Sequence, residues 1–387
     1  MLTICLATLA TLAATVPVAQ YSGTVFVDSN GNGVRDRAEV GVVGVAVSNQ
    51  ESVVLTDRDG RYTLSGRGQG QIFVSLPRGY RSASWWKSAD SVAPVDFALT
   101  LWREPVPFRF AQASDTHIAP AVVARTRRMI SLIDSIGPAM LLITGDLVRD
   151  ALRVSESEAT SYYTLFADEL RALKTPWHTV PGNHEMFGIE RTLSKVEATH
   201  PLFGKQMYRH YHGPEYYSFN AGGLHFVALN TVDIDGQWYY GHVDSVQLAW
   251  LRQDLAAVPD TIPVVTFSHI PLVSASEGLG GYTEAPPAPT LITVNGRTQF
   301  RHIASNVEEV LAAIAPHRLE IALAGHIHYR ELVTMQSAQG PLRFFQTAAV
   351  VGDVRKGGTV LPSGITVYTV RRGHVDDGQA VPLGKIP

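Results

Sequence analysis

Five short runs in the second part of the chain are almost continuously apolar: Phe108 to Ala113, Ala139 to Thr144, Trp177 to Val180, Val264 to Phe267 and Ile321 to Ala324. Runs of four to six residues without alternation predict strands buried on both faces. Between them the pattern changes to helical spacing. Ser155 with Glu158 three residues on is a capping-box signature for a helix running to about Leu173, and Leu248, Leu251 and Leu255 fall on one face of another. Strands alternating with helices predict an α/β region.

The first part reads differently. Tyr21 to Val27, Val42 to Ser48, Ser52 to Thr56, Arg61 to Leu64 and Gln71 to Leu76 are short strand-like segments separated by Gly, Asp and Asn turns, the pattern of a small β-sandwich over residues 20–101. Between the first two lies Asp28-Ser29-Asn30-Gly31-Asn32-Gly33-Val34-Arg35-Asp36-Arg37-Ala38-Glu39. Oxygen ligands at loop positions one, three, five, nine and twelve, with Gly33 at six, fit a twelve-residue calcium loop in which Asp28, Asn30, Asn32, the Val34 carbonyl, Asp36 and Glu39 converge. Strand-like flanks exclude an EF-hand. The loop resembles those inserted in small β domains of bacterial surface proteins, where calcium would stiffen the domain. Asp57 and Asp59 are expected to be ordinary hairpin residues.

At 387 residues the chain is long enough for about two domains. Glu104-Pro105-Val106-Pro107 marks the boundary between them. Residues 1–19 are apolar and Ala-rich and end in Pro17-Val18-Ala19, as a secretory signal peptide does. The one cysteine, Cys5, lies inside that segment, so the mature chain would have no thiol, no disulfide and no Cys-based zinc site. Export to a secreted, periplasmic or cell-surface location is the expectation, with no transmembrane helix after cleavage. A formal net charge of -3 without a long like-charged run argues against a nucleic-acid or anionic-membrane footprint. Arg125, Arg127 and Arg128 are expected on a solvated helix face.

The chemistry sits where the apolar runs end. Asp115-Thr116-His117, Gly145-Asp146, Gly182-Asn183-His184-Glu185, Ser268-His269 and Gly325-His326-Ile327-His328 each follow one of the five runs. Sites in α/β sheets form outside the carboxyl ends of strands, so ligands scattered over about two hundred residues can converge there. Imidazoles with carboxylates suit transition metals better than calcium or magnesium, and a carboxylate can bridge two cations. Two ions roughly 3.5 to 4 Å apart can hold a hydroxide and stabilise an in-line displacement at phosphorus.

These segments, in this order, resemble the calcineurin-like metallophosphoesterase superfamily over residues 107–352. The resemblance implies a two-sheet α/β/β/α sandwich and two divalent or trivalent transition-metal ions, Mn, Fe or Zn. By the same resemblance Asp115, His117 and His328 would bind the first ion, Asp146 would bridge, and Asn183, His269 and His326 would hold the second. His184 would be the general acid or contact the phosphoryl group. Glu185 stands where Asp is often seen and is expected to orient His184. The stretches Gly213 to Phe219 and His225 to Thr231 look like the superfamily's middle hairpin.

The implied activity is hydrolysis of a small-molecule or cell-envelope phosphomonoester or phosphodiester. The alternative is a non-catalytic surface protein whose metal domain is inert. The irregular segment between His269 and Gly325, with Tyr282 and Glu284, and the segment from Ile189 to Tyr211 are candidate substrate rims, with a plain surface loop as the simpler reading of the first. Residues 353–387 are expected to close the catalytic region or to form a short appendage.

Overall fold

The computed structural model describes residues 20–89, 94–286, 288–338 and 340–384. The proposed signal segment, 1–19, lies outside them. No helix among the described residues is long and apolar enough to cross a membrane.

Two six-stranded sheets dominate. The first runs Trp177–Val180, Met140–Thr144, Phe108–Ala113, Gly364–Arg371 and His374–Val375, with Gln379–Pro382 also pairing Gly364–Arg371. The second runs Tyr217–Ala221, Leu224–Ala228, Val264–Phe267, Leu319–Ala324, Gly340–Gln346 and Glu331–Ser337. Neighbours in the motif-bearing parts are parallel, so their carboxyl ends share one edge. Alternation along each strand divides the apolar side chains between two cores. Phe108, Phe110, Met140 and Leu142 face the second sheet, where they meet Phe226, Val265 and Leu323. Ala111, Ala113, Leu141 and Ile143 face outward onto Met129 and Ile133 of helix Val123–Ile136 and Tyr163 and Phe166 of helix Glu156–Leu170. Helices Ser245–Ala256 and Val307–Ile314 cover the far face of the second sheet through Leu251, Leu255, Val310 and Ile314. This is the expected α/β/β/α sandwich.

Local signals explain several boundaries. Ser155 caps the helix Glu156–Leu170, its hydroxyl accepting from the Glu158 N–H at 3.4 Å, and Asp244 caps Ser245–Ala256 through the Gln247 N–H at 2.9 Å. The tail from 353 onward is not an appendage. Its strand Gly364–Arg371 pairs antiparallel with Phe108–Ala113 from Thr366↔Gln112 to Val370↔Phe108, in the middle of the first sheet. Nor is the arginine trio a purely solvated face. Arg127 pairs with Glu169, but Arg125 donates to the Val350 carbonyl at 2.8 Å and to Ser363 Oγ, and Arg128 to the Leu383 carbonyl at 3.1 Å, so that Arg125 and Arg128 tie the helix to the tail.

The first part of the chain forms two four-stranded sheets around Val25, Val47, Leu64, Ile72, Phe97 and Leu99. The strand expected from Val42 is shorter, Ala46–Ser48, because Gly44 turns the chain at positive φ. Tyr80–Arg81, Trp86–Ser88 and Phe97–Leu101 add strands that the sequence pattern did not reveal. One of these sheets docks directly on the sandwich. Phe73 sits in the main core against Tyr217 and Trp250, Ser75 and Ser218 hydroxyls meet at 2.9 Å, and the Trp250 indole donates to Ser48 Oγ at 3.1 Å.

Candidate metal centre

Beyond three of the five strand ends the backbone takes conformations that side chains other than glycine rarely adopt. Asp115, His117, Asp146, His326 and His328 have φ of 52°, 39°, 50°, 73° and 66°. They are five of the nine non-glycine residues at positive φ among the described residues. Each such residue costs on the order of 1–3 kcal/mol and persists where the surroundings over-determine it. Three glycines of the motifs allow the crowding. A Cβ at Gly145 would lie 2.6 Å from His269 Nδ1, one at Gly182 2.2 Å from Asp146 Oδ1, and one at Gly325 1.8 Å from Ser114 Oγ.

Glu185 supplies much of the restraint. Its fully buried carboxylate accepts the N–H groups of Asp146 at 2.9 Å, Leu147 at 2.8 Å, Val148 at 3.0 Å and Gly182 at 2.6 Å. The expected contact with His184 is therefore replaced by a clamp on the Asp146 loop. Four converging backbone donors hold a carboxylate better than one imidazole would. His184 is oriented instead by its Nδ1 on the Arg149 carbonyl and its backbone N–H on Asp146 Oδ1 at 2.9 Å. Because a carbonyl only accepts, Nδ1 carries the proton, and Nε2 faces Asp146 Oδ2 at 3.9 Å.

The remaining side chains gather into two groups that share Asp146. In the first, His328 Nε2 lies 3.2 Å from Asp115 Oδ1 and 3.2 Å from His117 Nε2, which is itself 3.5 Å from Asp146 Oδ2. In the second, His269 Nε2 lies 3.2 Å from Asp146 Oδ2, 3.1 Å from Asn183 Oδ1 and 3.1 Å from His326 Nδ1. His269 Nδ1 donates across the sheets to the Thr144 carbonyl at 2.8 Å, which turns Nε2 inward toward Asp146. All seven residues expected as ligands are thus brought together.

The electrostatics fit a cation site. Burial would raise the Asp115 and Asp146 carboxyls, yet the neighbouring histidines outweigh it and hold both well below the usual carboxylate range. Burial pushes His117 down to about 4 and His326 well below its ordinary value. For His269 burial is outweighed by Asp146, which lifts it to about 9. Burial and the Asp146 charge push the Glu185 carboxyl up, while the Val148 and Gly182 N–H groups pull it down toward the ionised form that their hydrogen bonds require. Asp115 Oδ1 is buried without a hydrogen-bond partner, although it faces two imidazole nitrogens. An orphaned carboxylate oxygen and ring nitrogens facing one another at 3.1–3.2 Å are the arrangement that a shared transition-metal ion satisfies.

One residue at this centre was not legible as a candidate. His302 places Nδ1 2.7 Å from His326 Nε2 and stacks on its ring. No local motif marks it, since it lies in an irregular stretch after the strand Arg297–Phe300. Tyr282 and Glu284 are exposed, as a plain surface loop requires. Away from the centre, Asp28 accepts from the Gly31, Asn32 and Gly33 N–H groups, Glu39 accepts from Ser29 and Asp36, and the Asn30 and Asn32 amides donate to Asp36 Oδ2. The Asn30, Asn32 and Asp36 side chains therefore meet one another, while the Asp28 and Glu39 carboxylates are bonded to other groups of the same turn. Asp57 Oδ1 accepts from Asp59 and Arg61, as a hairpin residue does.

A model of the calcineurin-like phosphoesterase family matches residues 108–330. A 3',5'-cyclic-nucleotide phosphodiesterase of Nostoc sp. is 23% identical over 238 residues, 58% of this chain and 73% of that protein. Among solved structures, a dimetal phosphatase from Danio rerio aligns with TM-score 0.46 and 15% identity, covering 72% of this chain and 100% of that one. A purple acid phosphatase from yellow lupin seeds aligns with TM-score 0.41 and 14% identity, covering 87% and 68% respectively.

Proposed function

The chain belongs to the calcineurin-like phosphoesterase family and is a metal-dependent phosphoesterase, and we propose that it cleaves phosphoesters where its two ligand groups share Asp146. The observation that carries this reading is one oxygen, Asp146 Oδ2, facing His117 Nε2 at 3.5 Å and His269 Nε2 at 3.2 Å. Asp115, His117, His328 and Asp146 would hold one ion, and Asn183, His269, His326 and Asp146 the other. When bound, two ions of Mn, Fe or Zn supply Lewis acidity and an activated water next to the phosphoryl group. Asp115 and Asp146 leave much of that charge uncompensated, so the pocket attracts an anionic ester.

His184 is the proton handler in this reading. Its Nδ1 is committed to the Arg149 carbonyl, so a proton for the leaving oxygen is carried on Nε2, the nitrogen that faces Asp146. The Nostoc relative makes phosphodiesters the first class to assay. Location outside the cytoplasm is supported by the apolar Pro17-Val18-Ala19 segment and by the lack of cysteine after Cys5. Calcium in the loop from Asp28 to Glu39 is supported by its oxygen spacing.

Purified chain supplied with Mn²⁺, Zn²⁺ or Fe²⁺ is expected to hydrolyse bis(p-nitrophenyl) phosphate. Cyclic nucleotides, sugar phosphates, phospholipid head groups and cell-wall phosphodiesters then rank the substrate. A wild-type chain inactive with every metal across that panel would favour the alternative of an inert surface protein.

A further inference from the structure

We infer that His302 is a positioning residue that fixes the ring of His326 in the form whose Nδ1 lone pair points into the metal centre. This rests on the metal-centre reading above. His326 Nδ1 lies 3.1 Å from His269 Nε2, within the second ligand group, whereas His326 Nε2 lies 2.7 Å from His302 Nδ1. A neutral imidazole carries one proton, on one nitrogen or the other. If His302 Nδ1 accepts, the proton stays on His326 Nε2 and Nδ1 remains free to donate its lone pair to a cation. His269 reaches the same end differently, by donating its Nδ1 proton to the Thr144 carbonyl.

The placement of His302 is built. Its ring stacks on His326 with centroids 4.9 Å apart and 24° between planes, and Tyr239 stands edge-on to both, at 6.2 and 6.3 Å. Arg301, buried immediately before it, donates to the Tyr239 and Pro289 carbonyls and lies 4.2 Å over the Tyr239 ring. On the other side Ala304 donates to the Pro271 carbonyl at 2.9 Å and Ser305 to Gly241 at 2.8 Å. A Cβ at Gly241 would lie 2.0 Å from the Ile303 carbonyl oxygen, so the hairpin of Val232–Asp235 and Trp238–Gly241 grips the segment without slack. His302 is thereby carried by an element that bears no other part of the centre.

Zn²⁺ binding read by competition with a chromophoric chelator, together with ¹⁵N NMR of the histidine rings, tests this. Wild type is expected to bind two equivalents, with the His326 proton on Nε2. His302→Phe keeps a stacking ring but offers no acceptor, and it should weaken one of the two zinc steps by roughly tenfold or more. His302→Gln, which keeps an acceptor, should recover most of that loss. Wild-type affinity at both steps in His302→Phe, or a wild-type His326 protonated on Nδ1, would overturn the inference while leaving the metal centre intact. A wild-type chain that binds no zinc would instead overturn the metal-centre reading itself.

Discussion

The Glu185 carboxylate accepts the backbone N–H of Asp146 at 2.9 Å, so the residue shared by both ligand groups is held by its main chain as well as by its side chain. Each Glu185 oxygen takes two N–H groups. In Glu185→Gln the amide nitrogen would meet two donors in place of acceptors, each unsatisfied group costing about 1–3 kcal/mol. Urea unfolding should therefore show a loss of about 2 kcal/mol or more, accompanied by weaker metal uptake. An unchanged midpoint would remove the clamp from the account.

Asp146→Asn and His184→Gln should separate binding from proton transfer. The first removes the shared negative oxygen, and metal content measured by mass spectrometry should fall below two per chain, with activity. The second leaves both ligand groups in place, so metal content should stay at wild type while kcat drops by roughly 10²–10⁴. That drop should be smaller for p-nitrophenyl esters, whose leaving group needs little protonation, than for alkyl esters. Equal losses on both ester types would argue against His184 as the acid.

Two histidines outside the centre set an acid limit on stability. Burial pushes His178 and His212 down to about 3, with Phe219 stacked on the first at 4.1 Å and Tyr208 and Phe166 against the second. Both stay neutral in the folded chain until about pH 3 and take up protons near 6.5 once unfolded, so between those values the unfolded state binds more protons. Stability is complete above about 6.5 and falls as the pH drops, by up to ~1.4 kcal/mol per pH unit for each ring. A His178→Phe, His212→Phe double variant should unfold at lower pH than wild type in an acid titration followed by circular dichroism. A coincident titration would show that other groups set the limit.

Excess Ca²⁺ should raise the Tm of the full chain, and Asp28→Asn should abolish the rise. Mg²⁺ serves as the control, since it prefers a smaller octahedral shell. A Tm insensitive to Ca²⁺ in wild type would leave the loop as a turn held by its own hydrogen bonds.

The site was readable in the sequence because its residues are local to strand ends, and strand ends can be found from apolar runs. Asp115, Asp146 and His269 needed only that signal. His302 carried none, because its relation to His326 depends on how a distant hairpin packs. The role of Glu185 was misread for a related reason: its neighbour in sequence is His184, but its partners are the backbone of residues 146–148 and 182. Run length and the alternation of strands with helices made an α/β region legible, while the α/β/β/α layering was implied by the resemblance; the pairing of Gly364–Arg371 with Phe108–Ala113 spans more than two hundred residues and leaves no periodic trace.

The joint between the small β region and the sandwich has a practical side. With Phe73 lodged between Tyr217 and Trp250, and Tyr216 donating to the Gln50 carbonyl at 2.6 Å, the Pro-flanked stretch 104–107 is a covalent hinge between parts of one interior. A protease cut or an expression boundary placed there would not free two soluble modules. It would leave a hydrolase with a raw aromatic wall, so a useful recombinant form keeps both parts.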